Sequence, residues 1–148
     1  MSTLSDTKAT PFALALRIVA GFAVVTGLID VFAGTGILPL MGSQLPANAA
    51  ADPALDSQFR FLSATWFAYG LALWWVTQDL PHRIPMLNIL AIAMFVGGLG
   101  RLISIVVNGM HPAPLLAFLA IELLGPITAV VIARRLNAVG VRPSHPGE

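Results

Sequence analysis

The chain has 148 residues, 57% of them hydrophobic and only 10% charged, against about 25% charged in an ordinary soluble domain. Its 8 basic and 7 acidic residues would solvate the surface of a soluble domain poorly, and a net charge of +1 offers no basic surface to a nucleic acid. The absence of cysteine excludes disulfides, thiolate metal sites and thiol catalysis.

A spanning helix needs about 20 mostly apolar residues, and four segments meet that length. The first is Pro11 to Ala33. With Lys8 and Arg17 as a basic region and Ala47-Asn48-Ala49 as a cleavage-like triplet, it could be read as a secretory leader. It is expected to be a membrane span instead, because the apolar run is long enough to cross and the triplet lies well beyond it. Residues 34–57 follow as a Gly-, Pro-, Ala- and Asn-rich connection, with Asp52-Pro53 as a turn signal. Within it, Ile37 to Met41 is apolar but too short to span, and would lie on the membrane surface or fold over the helices.

The second span is Gln58 to Thr77, the third Ile84 to Val107 and the fourth Ala113 to Ala133. Tight turns at Asp79–Arg83 and Asn108–Pro112 separate them, and residues 137–148 form a polar, loose tail. The expected fold is therefore a single all-α membrane domain, a four-helix antiparallel bundle.

Basic residues fix the expected orientation. Lys8, Arg83, Arg134, Arg135 and Arg142 flank one side, while the 34–57 and Asn108–Pro112 connections carry no Lys or Arg. Both termini and the Asp79–Arg83 turn are then cytoplasmic. Trp74 and Trp75 suit the interface on that side, where His82 would be solvated or facing headgroups. Asn88, near the same end of the third span, is expected to bond a neighbouring helix.

Charges within hydrocarbon are costly and usually face the bundle interior or water. Arg17, near the cytoplasmic end of the first span, can snorkel. Asp30, Arg60, Arg101 and Glu122 cannot be dismissed in this way. Following each helix in its direction of travel puts all four in the outer half, one from each span and two of each sign. Desolvating an unpaired charge costs several kcal/mol, so a shared polar interior is expected.

Helical spacing adds neighbours. Thr26 stacks under Asp30; Arg60, Ser63 and Phe67 share a face beside Trp66; Arg101, Ser104 and Asn108 share another. Gly97, Gly98 and Gly100 permit close backbone approach before Arg101. Pro126, four residues after Glu122, removes an amide and should kink the fourth span. The three histidines, His82, His111 and His145, fit no metal spacing, and no cofactor is expected.

Three stretches resemble an uncharacterised family of small bacterial four-helix membrane proteins, domain of unknown function 4345. They are Asp56-Ser57-Gln58-Phe59-Arg60-Phe61 with Trp66 and Gly70; Gly97-Gly98-Leu99-Gly100-Arg101-Leu102-Ile103-Ser104 with Gly109 and Pro112; and Ile121-Glu122-Leu123. The resemblance covers nearly the whole chain and implies a bacterial inner-membrane protein, but no activity. His111 departs from a plain Gly-X-Pro pattern between Gly109 and Pro112.

Three roles fit such a cluster. One is a pocket, open to the outer leaflet, for a small hydrophobic or lipid-like molecule. Ser63, Ser104, Asn108 and His111 would be its polar contacts, and Phe61, Trp66, Phe67, Tyr69 and Phe118 its aromatic ones. Glu122 as acid and Asp30 as base, oriented by Arg101 and Arg60, could run isomerisation, cyclisation or epoxide opening. The second is structural: Arg–acid pairs hold the helices of an accessory subunit, whose homo-oligomeric or membrane-protein partner packs on Ala93 and Gly97. The third is proton-coupled transport.

Overall fold

The computed structural model describes residues 4–43 and 45–140, so the 141–148 part of the polar tail, with Arg142 and His145, lies outside the described residues. Four long helices carry the fold: α1 (Leu4–Ala33), α3 (Pro53–Gln78), α4 (Ile84–Asn108) and α5 (Ala113–Gly140). Between α1 and α3 lie a 3-10 helix, Gly34–Met41, and the short α2, Ala47–Ala50. Three stretches, Pro11–Met41, Ile84–Asn108 and Ala113–Leu136, are long and apolar enough to cross a membrane. They mark the chain as a membrane protein. Large apolar side chains such as Phe32, Val106 and Met110 are more than three-quarters exposed, as helices facing lipid require. In α3, Arg60, Tyr69 and the three tryptophans lower the hydropathy.

The helices outrun the apolar stretches. α1 starts before Pro11 and α5 continues past Ala133 through Arg134 and Arg135, because helical hydrogen bonding does not stop where hydrophobicity does. The tail expected from residue 137 therefore begins as helix, through Gly140. α3 starts at Pro53 rather than Gln58. Asp52 is its N-cap, with a carboxylate oxygen accepting from the Leu55 amide at 2.8 Å, and Pro53 occupies the first turn, where no amide partner is needed. What reads as a turn signal is a helix start. Residues 34–57 are accordingly not one loop. Pro126 lies buried inside α5, and the helix continues through it.

α1 packs most extensively against α3, and α4 against α5; contacts between the two pairs are sparse. The α1–α3 contacts run in reverse order along the two helices. Arg17 reaches Thr77, Gly70 lies against Ala20 and Val24, Trp66 bonds Thr26, and Arg60 bonds Val31. At the end bearing the Asp79–Arg83 turn, all four long helices converge. Leu16, Ala20, Leu73, Val76, Leu80, Leu87 and Ala133 form one buried apolar cluster there. Towards the strap, as we call Gly34–Met41, the pairs diverge. The fold is closed at one end and cleft at the other.

Polar groups at the closed end differ from expectation in two ways. Arg17 does not simply snorkel: its guanidinium donates to the Thr77 hydroxyl at 3.3 Å and the Thr77 carbonyl at 3.2 Å, tying α1 to the end of α3. Asn88 is expected to bond a neighbouring helix, yet its buried side-chain oxygen has no partner among the described residues. His82 is exposed and lies 2.8 Å from Asp79, and the Arg83 guanidinium stacks 3.8 Å from the Trp75 ring.

Candidate functional site

The cleft between the helix pairs holds a cavity of about 700 Å³. Its walls are mostly apolar. Phe22 of α1 and Phe118 of α5 approach to 6.2 Å between ring centres, Met94 of α4 and Ile121 of α5 flank them, and Ile37 and Met41 of the strap form the roof. The apolar piece of the connection thus folds over the helices.

The charged lining residues are Asp30, Arg101 and Glu122, from α1, α4 and α5. Arg101 and Glu122 form a two-pronged pair, with Nε to Oε2 and Nη2 to Oε1 both at 2.8 Å. The carboxylate is the more enclosed partner, at 16% side-chain exposure against 30% for the guanidinium. Gly98 lets α4 and α5 come close one turn from Arg101: a Cβ there would sit 3.0 Å from the Glu122 Cβ and 2.8 Å from the Leu123 Cδ2, and these side chains would have to shift to admit it. Gly97 and Gly100 face open space and have no such role. Asp30 has no hydrogen bond or ion pair among the described residues.

Arg60 belongs elsewhere. Its Nε donates to Asp56 at 2.6 Å, and its Nη1 to the carbonyls of Val31 and Phe32. These are last-turn carbonyls of α1, which lack helical partners. The helix ends at Gly34, whose φ of +58° favours glycine and where any Cβ would collide with Asp56 and Arg60. Asp56 in turn accepts from the Thr35 amide at 2.9 Å, and the Thr35 hydroxyl donates to the Ala50 carbonyl at 2.7 Å. Asp56, Arg60 and Thr35 latch the strap to the first turn of α3. The four charges expected to gather as one cluster are therefore divided: Arg101, Glu122 and Asp30 face the cavity, and Arg60 caps α1. Asp56 escapes a sequence reading that starts the helix at Gln58. The signal is Asp52-Pro53 as cap and first turn, which sets Asp56 and Arg60 at i, i+4 on one helix.

The latch carries a pH prediction. The Arg60 hydrogen bond, then the Thr35 amide, hold the Asp56 carboxyl below its ordinary value of 3.8. A lowered folded pKa means that the latch is complete above 3.8 and fails as pH falls through the folded value. Asp56→Asn should release it at neutral pH, seen as faster hydrogen exchange of the Thr35 amide. Equal exchange in variant and parent would show that Asp56 does not secure the strap.

The other expected site residues divide similarly. Trp66 lines the cavity, donates to the Thr26 hydroxyl at 2.9 Å, and stacks 5.4 Å from Tyr69. Ser63 is a buried lining residue that donates back to the Phe59 carbonyl. Phe118 lines the cavity, whereas Phe61, Phe67 and Tyr69 do not. Phe61 is 64% exposed, and Phe67 packs its backbone against Gly27 of α1. Ser104, Asn108 and His111 form their own group at the end of α4. The Ser104 hydroxyl lies 3.3 Å from the Asn108 amide and 3.1 Å from the His111 ring, outside the lining. Among the described residues, no three His, Asp or Glu side chains gather to hold a metal.

Residues 12–133 match the family described as Domain of unknown function (DUF4345). No curated protein and no solved structure matches the chain. The match covers most of the chain, which therefore belongs to that family.

Proposed function

We propose that this DUF4345 member is a four-helix antiparallel bundle of the bacterial inner membrane whose cleft binds a small hydrophobic or lipid-like molecule. α3 crosses with the other three helices, since its contacts with α1 extend from Arg17–Thr77 to Val31–Arg60. The basic Arg83, Arg134 and Arg135 belong on the cytoplasmic side. The closed end then faces the cytoplasm and the cavity opens in the outer half, towards the lipid.

The observation that carries this reading is the lining: an apolar cavity of about 700 Å³ with charged groups from three separate helices at its wall. Such sites are usually apolar with a few convergent polar groups that orient the ligand. The roles shift from those expected. With both oxygens on Arg101, Glu122 serves as a fixed carboxylate that joins α4 to α5. Asp30 is left as the group for hydrogen bonding or proton transfer to the ligand. At the closed end the helices meet in an apolar cluster, with Arg17 tied to Thr77 at its edge, which favours binding over transport.

The Arg101–Glu122 pair also suits a purely structural part, as a helix clamp. Native mass spectrometry of the protein extracted from membranes separates the two. A bound site should retain a discrete lipid-sized adduct, lost in Met94→Trp, which fills the cavity from α4 while the helical content persists. A parent protein without adducts, and with unfolding unmoved by any added amphiphile, would leave only the clamp. Saturating ligand should stabilise the fold by about 2.7 kcal/mol at a hundred times its Kd.

A further inference from the structure

The cavity has an unbalanced charge. Of its lining side chains, Arg101 is neutralised by Glu122 at two 2.8 Å contacts, and Asp30 stands without a cation among the described residues. Fully ionised, the three sum to −1. The hydroxyls in the wall are already engaged. Thr26 donates to the Phe22 carbonyl and accepts from Trp66, and Ser63 donates to the Phe59 carbonyl. Besides the Arg101 N–H groups that Glu122 does not take, what the wall still offers a ligand is an acceptor, the Asp30 carboxylate. It stands one helical turn beyond Thr26 on the same face of α1, beside Ile29.

We infer that the ligand is an amphiphile whose headgroup donates hydrogen bonds, an amine or an alcohol, and that Asp30 selects it against anionic amphiphiles such as fatty acids. This rests on the cavity being a binding site. The chain would lie along Phe22, Met94 and Phe118, and the head would meet Asp30. An ammonium head gives Asp30 the counter-charge that none of the described residues supplies, which counts for most in a low-dielectric enclosure. A hydroxyl gives it a donor without the charge. A carboxylate head can meet the Arg101 guanidinium only where Glu122 already neutralises it, and it adds a further anion to a wall whose charges already sum to −1. Both heads make charge-assisted hydrogen bonds to the carboxylate, but only the ammonium adds the attraction of opposite charges, which sets amine before alcohol.

Trp66 reports on occupancy. It lines the cavity, and Trp74→Phe with Trp75→Phe leaves it as the single tryptophan. In an uncharged detergent, ω-bromoundecyl amine, alcohol and carboxylate present one quenching chain on three heads. At about pH 8 the amine is cationic and the acid anionic. The amine should quench Trp66 saturably at a concentration at least about tenfold lower than the acid, a difference of about 1.4 kcal/mol, with the alcohol between them. Asp30→Asn should remove the amine's advantage and weaken the alcohol less, since the amide oxygen still accepts its hydrogen bond. An acid that binds as tightly as the amine, or an amine advantage that survives Asp30→Asn, would overturn the assignment while the cavity remains a binding site. If no head quenches saturably, or if unbrominated chains do not compete, the cavity is not a site and the selectivity falls with it.

Discussion

Replacing Arg101 by alanine should destabilise the fold by about 3–5 kcal/mol, the usual loss when one member of a buried ion pair is removed. The cause is less the lost attraction than the Glu122 carboxylate left behind. At 16% exposure, and with hydrocarbon rather than water around the helices, that carboxylate has little solvent to compensate it. Glu122→Gln strands the guanidinium instead, but Arg101 is the more exposed partner, at 30%, and can turn outward. The alanine variant should therefore be the worse of the two. Removing both charges together, as Arg101→Met with Glu122→Leu, should restore most of the stability, since a well-packed apolar pair often equals a buried ionic one. Reversible unfolding in mixed micelles, followed by helicity, gives the four corners of the cycle. If each single variant lies within about 0.5 kcal/mol of the parent, the pair is solvated and does not clamp α4 to α5.

The same cycle bears on function. The double variant keeps the helices together but takes two charges out of the cavity wall. A role confined to structure predicts a protein that behaves like the parent. A binding site predicts one that folds and rejects a carboxylate head more strongly than the parent does, because Asp30 stays in the wall and the guanidinium is gone.

Much of this arrangement is legible in the sequence, and the misses have specific causes. Apolar length alone locates α1, α4 and α5, because hydrocarbon requires it of any spanning segment. The depth of Arg101 and Glu122 follows from helical rise and direction of travel, which is why two residues 21 positions apart can be matched by sequence alone. Depth says nothing of rotation about the helix axis. Arg60 lies in the same half as the other charges, yet it points at the end of α1, and only the αL turn at Gly34 and the early start of α3 explain why. The glycines show the same limit. Gly97, Gly98 and Gly100 are indistinguishable by composition, but one of the three meets a neighbouring helix. The strap is ambiguous in sequence because a short apolar run has no period to reveal its partner.

Gly70→Leu and Gly27→Leu should each separate α1 from α3, and together they should prevent the fold. A Cβ at Gly70 would lie 2.8 Å from the Val24 amide nitrogen and 2.9 Å from the Ala20 carbonyl oxygen. One at Gly27 would lie 2.7 Å from the Phe67 nitrogen and 2.9 Å from its Cα. These are backbone atoms, which no rotamer change can move aside. Ala20 and Ala23, both fully buried, complete an interface that only small residues allow. Overpacking a core costs about 1–3 kcal/mol where side chains can yield, and the cost should reach or exceed the top of that range here. Gly97→Ala and Gly100→Ala are the matched controls: both meet open space, and alanine should gain up to about 1 kcal/mol in a helix interior. The consequence reaches the cavity, because α1 carries Asp30 and Thr26 and α3 carries Trp66. Once the helices part, the 2.9 Å bond from Trp66 to Thr26 breaks and the tryptophan emission shifts before the helices melt. A Gly70→Leu protein with parental stability and unchanged Trp66 emission would mean that α1 and α3 do not meet backbone to backbone, and that neither Asp30 nor Trp66 is held where a ligand could find both.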